Sequence, residues 1–305
     1  MIDFSEFMKK ENIDEFVYQA YNLRLEHFGT TLAVSYPSPR FPSISVTGSS
    51  CAMNCQYCNK KYLEHMIPAR SPEALLAICE DLDKKQAKGC LISGGYTSKG
   101  VVPLDPFFES IRMIKETTNL IINVHPGLVS LDQAQKMKEI GVDVISLDLI
   151  GSQEVITEVI GLDASPEDYF RTLDNLLSVG LEVVPHIGLG FHYGKISGVE
   201  EALKICFERD IKLLVFVILI PTKGTPMEKY RSPGSDLIQK IITWTRLQKP
   251  QMELSLGCMR PRDLDIDKRA LVAGINRIAV PSRRIINFSK EIGYQIEKIE
   301  ACCAV

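Results

Sequence analysis

The strongest constraint on this chain is a repeated alternation of short apolar runs with amphipathic helical stretches. Strand-like runs lie at Ser43 to Thr47, Cys90 to Ser93, Leu120 to Val124, Val142 to Leu147, Leu181 to Leu189, Lys212 to Leu219, Met252 to Leu256 and Ile275 to Val280. Between them fall helical stretches such as Pro72 to Lys85, Leu131 to Ile140, Pro166 to Val179 and Gly198 to Arg209. In Pro166 to Val179, Phe170, Leu173, Leu176 and Leu177 recur at helical spacing, whereas Asp168, Arg171 and Asp174 fall elsewhere around the axis. Ser165 supplies an N-cap ahead of Pro166, with acids in the first turn. Parallel strands need long crossovers, and such helices provide them. Eight βα alternations therefore predict an α/β fold, a (βα)8 TIM-type barrel. A barrel of about 250 residues fits as one domain. The expected division is an N-terminal helical extension over 1–40, the barrel over 41–290, and a tail over 291–305 closing the barrel mouth.

Composition narrows the context. With 305 residues and 45% hydrophobic content the chain can bury one large core. A net charge of −3 argues against a general nucleic-acid binder. The start, MIDFSEFMKKENIDEF, is mixed and charged, unlike a signal peptide, and Leu213 to Ile220 is too short to cross a bilayer. The expectation is a cytoplasmic enzyme with no nucleic-acid or membrane partner. In that context nine cysteines suggest reduced thiols and metal ligation rather than disulfides.

Three of them, Cys51, Cys55 and Cys58, stand as CxxxCxxC in SSCAMNCQYCNKKYL, directly after the first strand. Zinc sites usually take separated cysteine pairs or histidine, and no fourth Cys or His closes this group locally. The spacing suits a 4Fe-4S cluster, whose three protein-held irons leave the fourth open to a small molecule with nitrogen and oxygen donors. Cys79, Cys90 and Cys206 lie in apolar patterns and read as core packing. Cys258 ends a strand, while Cys302 and Cys303 are adjacent on the tail, after an ordered-looking alternation over Tyr294 to Glu300. Folding of the tail over the barrel would bring these last three together around a second, auxiliary iron-sulfur cluster, with Arg260, Arg262 or Ser282 as candidate further ligands. Arg283 and Arg284 read as a surface pair, with an acidic carrier as the functional alternative.

In a barrel of this type the chemistry gathers at the C-terminal ends of the strands. Those ends carry Ser93-Gly94-Gly95-Tyr96, then Asn123 and His125 on one face, then Ser146 and Asp148 on one face, then Ile187, and finally the loop from Leu219 through Lys223-Gly224-Thr225-Pro226. His125, His186 and His192 are candidate pocket residues, with structural histidine as the blander reading.

CxxxCxxC with Tyr57 before its last cysteine resembles the signature of the radical S-adenosylmethionine (radical SAM) superfamily. The resemblance implies that SAM chelates the open iron. An electron from a low-potential donor then cleaves SAM to methionine and a 5′-deoxyadenosyl radical, which abstracts hydrogen from an unactivated C–H bond. Gly94 and Gly95 resemble the family's GGE motif, which meets the SAM amino group, although Tyr96 replaces the acid. Asn123, Ser146 and Asp148 are the implied contacts to ribose and substrate, Ile187 to adenine, and Leu219 opens a loop similar to the KGTP loop of biotin synthase. Within the superfamily the chain most resembles the biotin synthase branch, and there the subunits of two-component lipoyl synthases. This implies sulfur insertion into a protein-bound octanoyl chain, with a carrier protein and a sister radical SAM subunit as partners. The alternative is a rearrangement or maturation enzyme similar to methylornithine synthase or the iron hydrogenase maturase.

Overall fold

The computed structural model describes residues 2–305. Its strands are β1 (Thr31–Ser35), β2 (Ser43–Ser45), β3 (Ile67–Pro68), β4 (Gly89–Ser93), β5 (Ile121–Val124), β6 (Val144–Asp148), β7 (Glu182–Leu189), β8 (Leu213–Ile218), β9 (Glu253–Leu256), β10 (Arg277–Ala279) and β11 (Gln295–Ile299). They form one sheet in the order β11-β1-β10-β9-β8-β7-β6-β5-β4-β2-β3, and every pairing is parallel. All eight strand-like runs read from the sequence are in it. The α/β barrel class holds, but the sheet is curled rather than closed, because β11 and β3 stand at its two edges without pairing to each other. The sheet also extends beyond 41–290, through β1 on one side and β11 on the other.

Parallel strands buried on both faces read as continuous apolar runs. Ile92, Ile122, Ile145, Leu214, Leu254 and Ile278 are fully buried, and they alternate with the residues that face the lumen. The helices that cover them start where the sequence places their caps. Ser71 Oγ accepts from Ala74 N at 3.2 Å ahead of the helix Pro72–Lys84. Asp168 accepts from Ser165 N at 2.8 Å at the start of the helix Pro166–Ser178.

Two buried arginines tie off the end opposite the cysteine loop. Arg24 donates to the carbonyls of Gly29, Thr31 and Ile275, and Arg246 to those of Gly274, Pro250 and Met252. Burial lowers the pKa of each guanidinium, that of Arg246 to about 9. Carbonyls of chain turns that would otherwise need water are satisfied this way.

After β11 the chain turns into the curl of the sheet. Cys303 and Ala304 are buried against Val144, Val184, Leu213, Val215 and Ala279, which come from β6, β7, β8 and β10. Residues from four strands can touch one short segment only if that segment lies in the lumen. Arg40, just ahead of β2, pairs with Glu300 at 2.6 Å, so the seam is bridged by an ion pair. Arg277 on β10 donates to Val305 O at 2.7 Å and to Glu253 on β9 at 2.7 Å, which anchors the inner end of the tail. The tail therefore plugs the barrel from within rather than lying across its mouth.

Candidate functional site

A cavity of about 400 Å³ opens at the C-terminal ends of the strands, its lining reaching from Cys51, Cys55 and Cys58 to Cys258, Cys302 and Cys303. The loop carrying the first three leaves β2 and is held by the end of β4. Gly95 N donates to Thr47 Oγ1 at 2.7 Å, Ala52 N to Tyr96 O at 2.8 Å, and Tyr96 N to Cys51 Sγ at 3.3 Å. A Cβ on Gly95 would collide with the Ser50 carbonyl and sit 2.5 Å from the Cys51 Cβ. Only glycine permits this approach, which is the local reason for the glycine pair. Further along, Gln56 N donates to Val159 O at 2.7 Å and Met227 N to Gln56 O at 3.1 Å, so three loops grip the cysteine segment.

The thiols influence one another. Cys58 is drawn down to about 7 by the neighbouring Cys55 thiol, and Cys55 is pushed up by the same interaction and by burial. Among the described residues, no three His, Cys, Asp or Glu side chains converge on a single metal ion. A four-iron cube puts each thiolate on a different iron and so keeps the ligands apart, whereas zinc draws them onto one centre. Thiols that share one wall, with a backbone N–H directed at Cys51 Sγ, fit the cluster.

The second set is held differently. Cys258 leaves β9 on a loop fixed by Arg260, whose guanidinium is fully buried. It donates to Asp267 at 2.7 and 3.0 Å and to the carbonyls of Gly257 and Ala279 at 2.7 Å. Held by Asp267 and absent from the cavity lining, Arg260 is not placed to serve as a ligand. Arg262 donates to Cys258 O at 3.2 Å and stands beside the cysteine. Ser282 caps the helix Arg283–Glu291, accepting from Ile285 N at 3.4 Å. Cys258 is exposed and lines the cavity. Its thiol is pushed up by Cys303 and burial, Cys302 is lowered by Cys303, and Cys303 lies at about 12.

Between the two sets lie His125 of the loop after β5, Asp148 of β6 and His186 of β7, all facing the cavity. His125 Nε2 stands 3.4 Å from Asp148 Oδ2. It lacks a well-aligned hydrogen bond, so the attraction is chiefly Coulombic. Burial pushes His125 down, but the Asp148 carboxylate outweighs it and the net shift is upward; burial pushes Asp148 up, and the His125 charge reverses that. Burial lowers His186 to about 4, keeping it neutral. Apolar walls come from Leu149, Ile150, Val155, Ile160, Ile187 and Phe191.

Tyr57, Gly94, Gly95, Ser146, Asp148 and Ile187 thus line the cavity with all six cysteines. Two predicted contacts do not. Asn123 is fully buried beneath Ser146, accepting from its Oγ at 3.1 Å, because it sits one layer deeper along its strand than His125. Leu219 follows the last residue of β8 and turns into the apolar core. His192 bonds Ser197 Oγ at 2.7 Å and is absent from the lining. Sequence reasoning missed Phe191, whose ring meets Tyr57 edge-on at 4.7 Å, since nothing in the local pattern marks it. Cys79 and Cys90 are fully buried 3.9 Å apart, and Cys206 is buried, as core packing requires.

The profile described as "Radical SAM superfamily" matches residues 45–206. Biotin synthase of Francisella tularensis subsp. mediasiatica (strain FSC147) is 25% identical over 287 residues, covering 87% of this chain and 85% of the relative. Biotin synthase of Francisella philomiragia subsp. philomiragia is 24% identical over the same shares. Among solved structures, methylornithine synthase (PylB) superposes with a TM-score of 0.69 at 17% identity, covering 97% of this chain and 93% of that one. HydG, a maturase of the [FeFe]-hydrogenase, gives 0.72 at 16% identity, covering 96% and 71%. At such identities the structures speak for the fold. The profile spans more than half the chain and includes the three-cysteine loop and the strand ends facing it; the chain belongs to the radical SAM superfamily, biotin synthase-like in its sequence relatives, and uses a 4Fe-4S cluster and SAM.

Proposed function

We propose that this enzyme inserts sulfur into an unactivated C–H bond of a protein-bound octanoyl chain, in the manner of a lipoyl synthase. When bound, the cluster on Cys51, Cys55 and Cys58 supplies the electron that cleaves SAM, and a second cluster on Cys258, Cys302 and Cys303 supplies sulfide. The chain's own residues position and shield. Gly94 and Gly95 let backbone approach SAM, Asp148 accepts from its ribose, and Ile187 packs on adenine. Leu149, Ile150, Val155 and Phe191 exclude water from an aliphatic chain. The observation that carries the reading is that one apolar cavity has three cysteines at each end.

The test is iron and sulfide counting with Mössbauer spectroscopy on anaerobically reconstituted protein, comparing wild type with C258A/C302A/C303A. Two clusters should fall to one, SAM cleavage should persist, and thiolated octanoyl product should vanish. A second reading, radical rearrangement or maturation of a polar small molecule, is favoured by the His125, Asp148 and His186 group within the same cavity. One cluster in both proteins would move the assignment there.

A further inference from the structure

The loops after β2, β7 and β8 lock together at the cavity entrance. Tyr62 Oη bonds Thr222 Oγ1 at 2.9 Å, Lys61 Nζ donates to Lys223 O, the Tyr193 and Tyr230 rings lie 4.9 Å apart, and Gly194 fits against the Arg231 carbonyl. This assembly presents Lys60, Lys61, Lys195, Lys223, Lys229 and Arg231. Among the described residues none of these side chains is in an ion pair. Lys195, Lys223, Lys229 and Arg231 are exposed, and Lys60 lines the cavity itself. Glu64 and Glu228 are the acids on the same loops, Glu228 is engaged by Gly224 N, and Glu158 faces the loop after β7 at 3.6 Å from His192. Unpaired cations gathered at one entrance, in a chain whose net charge is −3, mark a surface for an acidic partner.

We propose that this basic crescent docks the acidic face of a carrier protein whose acylated lysine arm enters the cavity. The inference rests on the reading that the substrate is a protein-bound acyl chain. A tethered chain can reach the cavity only through the entrance, so its carrier must sit on these loops. An electron-donor protein is under no such constraint. On its outer flank the cysteine loop borders a separate cleft of about 360 Å³, formed with Ala52, Asn54, Gln56, Ser98 and Glu158, whose charged side chain is acidic. Arg283 and Arg284 stand exposed on another helix and do not join the locked loops.

The test uses anaerobically reconstituted holoenzyme, an octanoylated lipoyl-carrier protein and a short octanoyl-lysine peptide, with K195E/K229E/R231E against wild type. Reversal should raise the KM for the carrier about ten-fold at low ionic strength, shrinking as salt is added, with kcat little changed. Peptide kinetics and SAM cleavage driven by reduced flavodoxin should be unaffected, and K195R/K229R should behave as wild type. Carrier binding is also measured directly by fluorescence anisotropy, so docking is decided even if neither substrate is thiolated, a result that would remove sulfur insertion alone. Equal carrier affinity for both proteins, or no affinity in either, overturns the proposal. So does loss of SAM cleavage with flavodoxin but not with dithionite, which would give the surface to the electron donor.

Discussion

His186 is held neutral beside His125 and Asp148, and the three groups titrate with different signs. Its folded pKa of about 4 lies below the ordinary histidine value, so the unfolded chain takes the proton first as pH falls. Stability contributed by this site is present above about 6.5 and lost on the way down to about 4. His186→Gln should therefore resist acid better than wild type, by at most about 3 kcal/mol near pH 4. Urea midpoints at pH 7.5 and pH 4.5 check this, and a gap between the two proteins that does not widen in acid would refute it. His125 runs the other way: its raised pKa gives stability below the ordinary histidine range that is lost as pH climbs through its own value, while the lowered Asp148 loses its share as pH falls. The pair is worth most between the ordinary aspartate and histidine values, about 4 and about 6.5. Residues of this kind were partly legible in the sequence, because period two put Asn123 and His125 on one face. What it does not give is depth: one step of two residues along a strand separates a cavity wall from a buried layer, and Asn123 fell on the wrong side.

The element that positions the chemistry is the strand-end pair Gly94-Gly95 pressed on the cysteine loop. Gly95→Ala would drive a methyl group into Ser50 and Cys51, so the loop must shift. The expected outcome is loss of at least about half the iron bound by the first site, with the fold retained by circular dichroism. The motif was readable from local sequence, as were eight of the strands, because each carries its own apolar run. β1 and β3 were not. Thr31–Ser35 is a short run straight after a helix, and Ile67–Pro68 is two exposed residues that pair only because β2 lies alongside. Val280 is a finding of the structure alone. It has φ 46° although β-branched, in the turn where its carbonyl and that of Ala279 meet Arg262 beside Cys258.

At the scale of the molecule the unexpected feature is where the tail goes. Alternation over Tyr294 to Glu300 announced an ordered segment, and β11 is there. Contacts between residues 303–304 and Val144, Val184 or Leu213 span too much sequence to leave any local trace. Deleting residues 300–305 should uncover the apolar lumen and cost about 2–4 kcal/mol, lowering the thermal midpoint by several degrees. An unchanged midpoint in scanning calorimetry would show that the plug is energetically idle. The placement also sets an order of events during synthesis. Residues 300–305 follow every strand they pack against, so they can seat only after β6, β7, β8 and β10 have come together. Cys302 and Cys303 reach the cavity wall only with that seating, so whatever is built on them together with Cys258 can be completed only after this segment has docked, from the open side of the cavity.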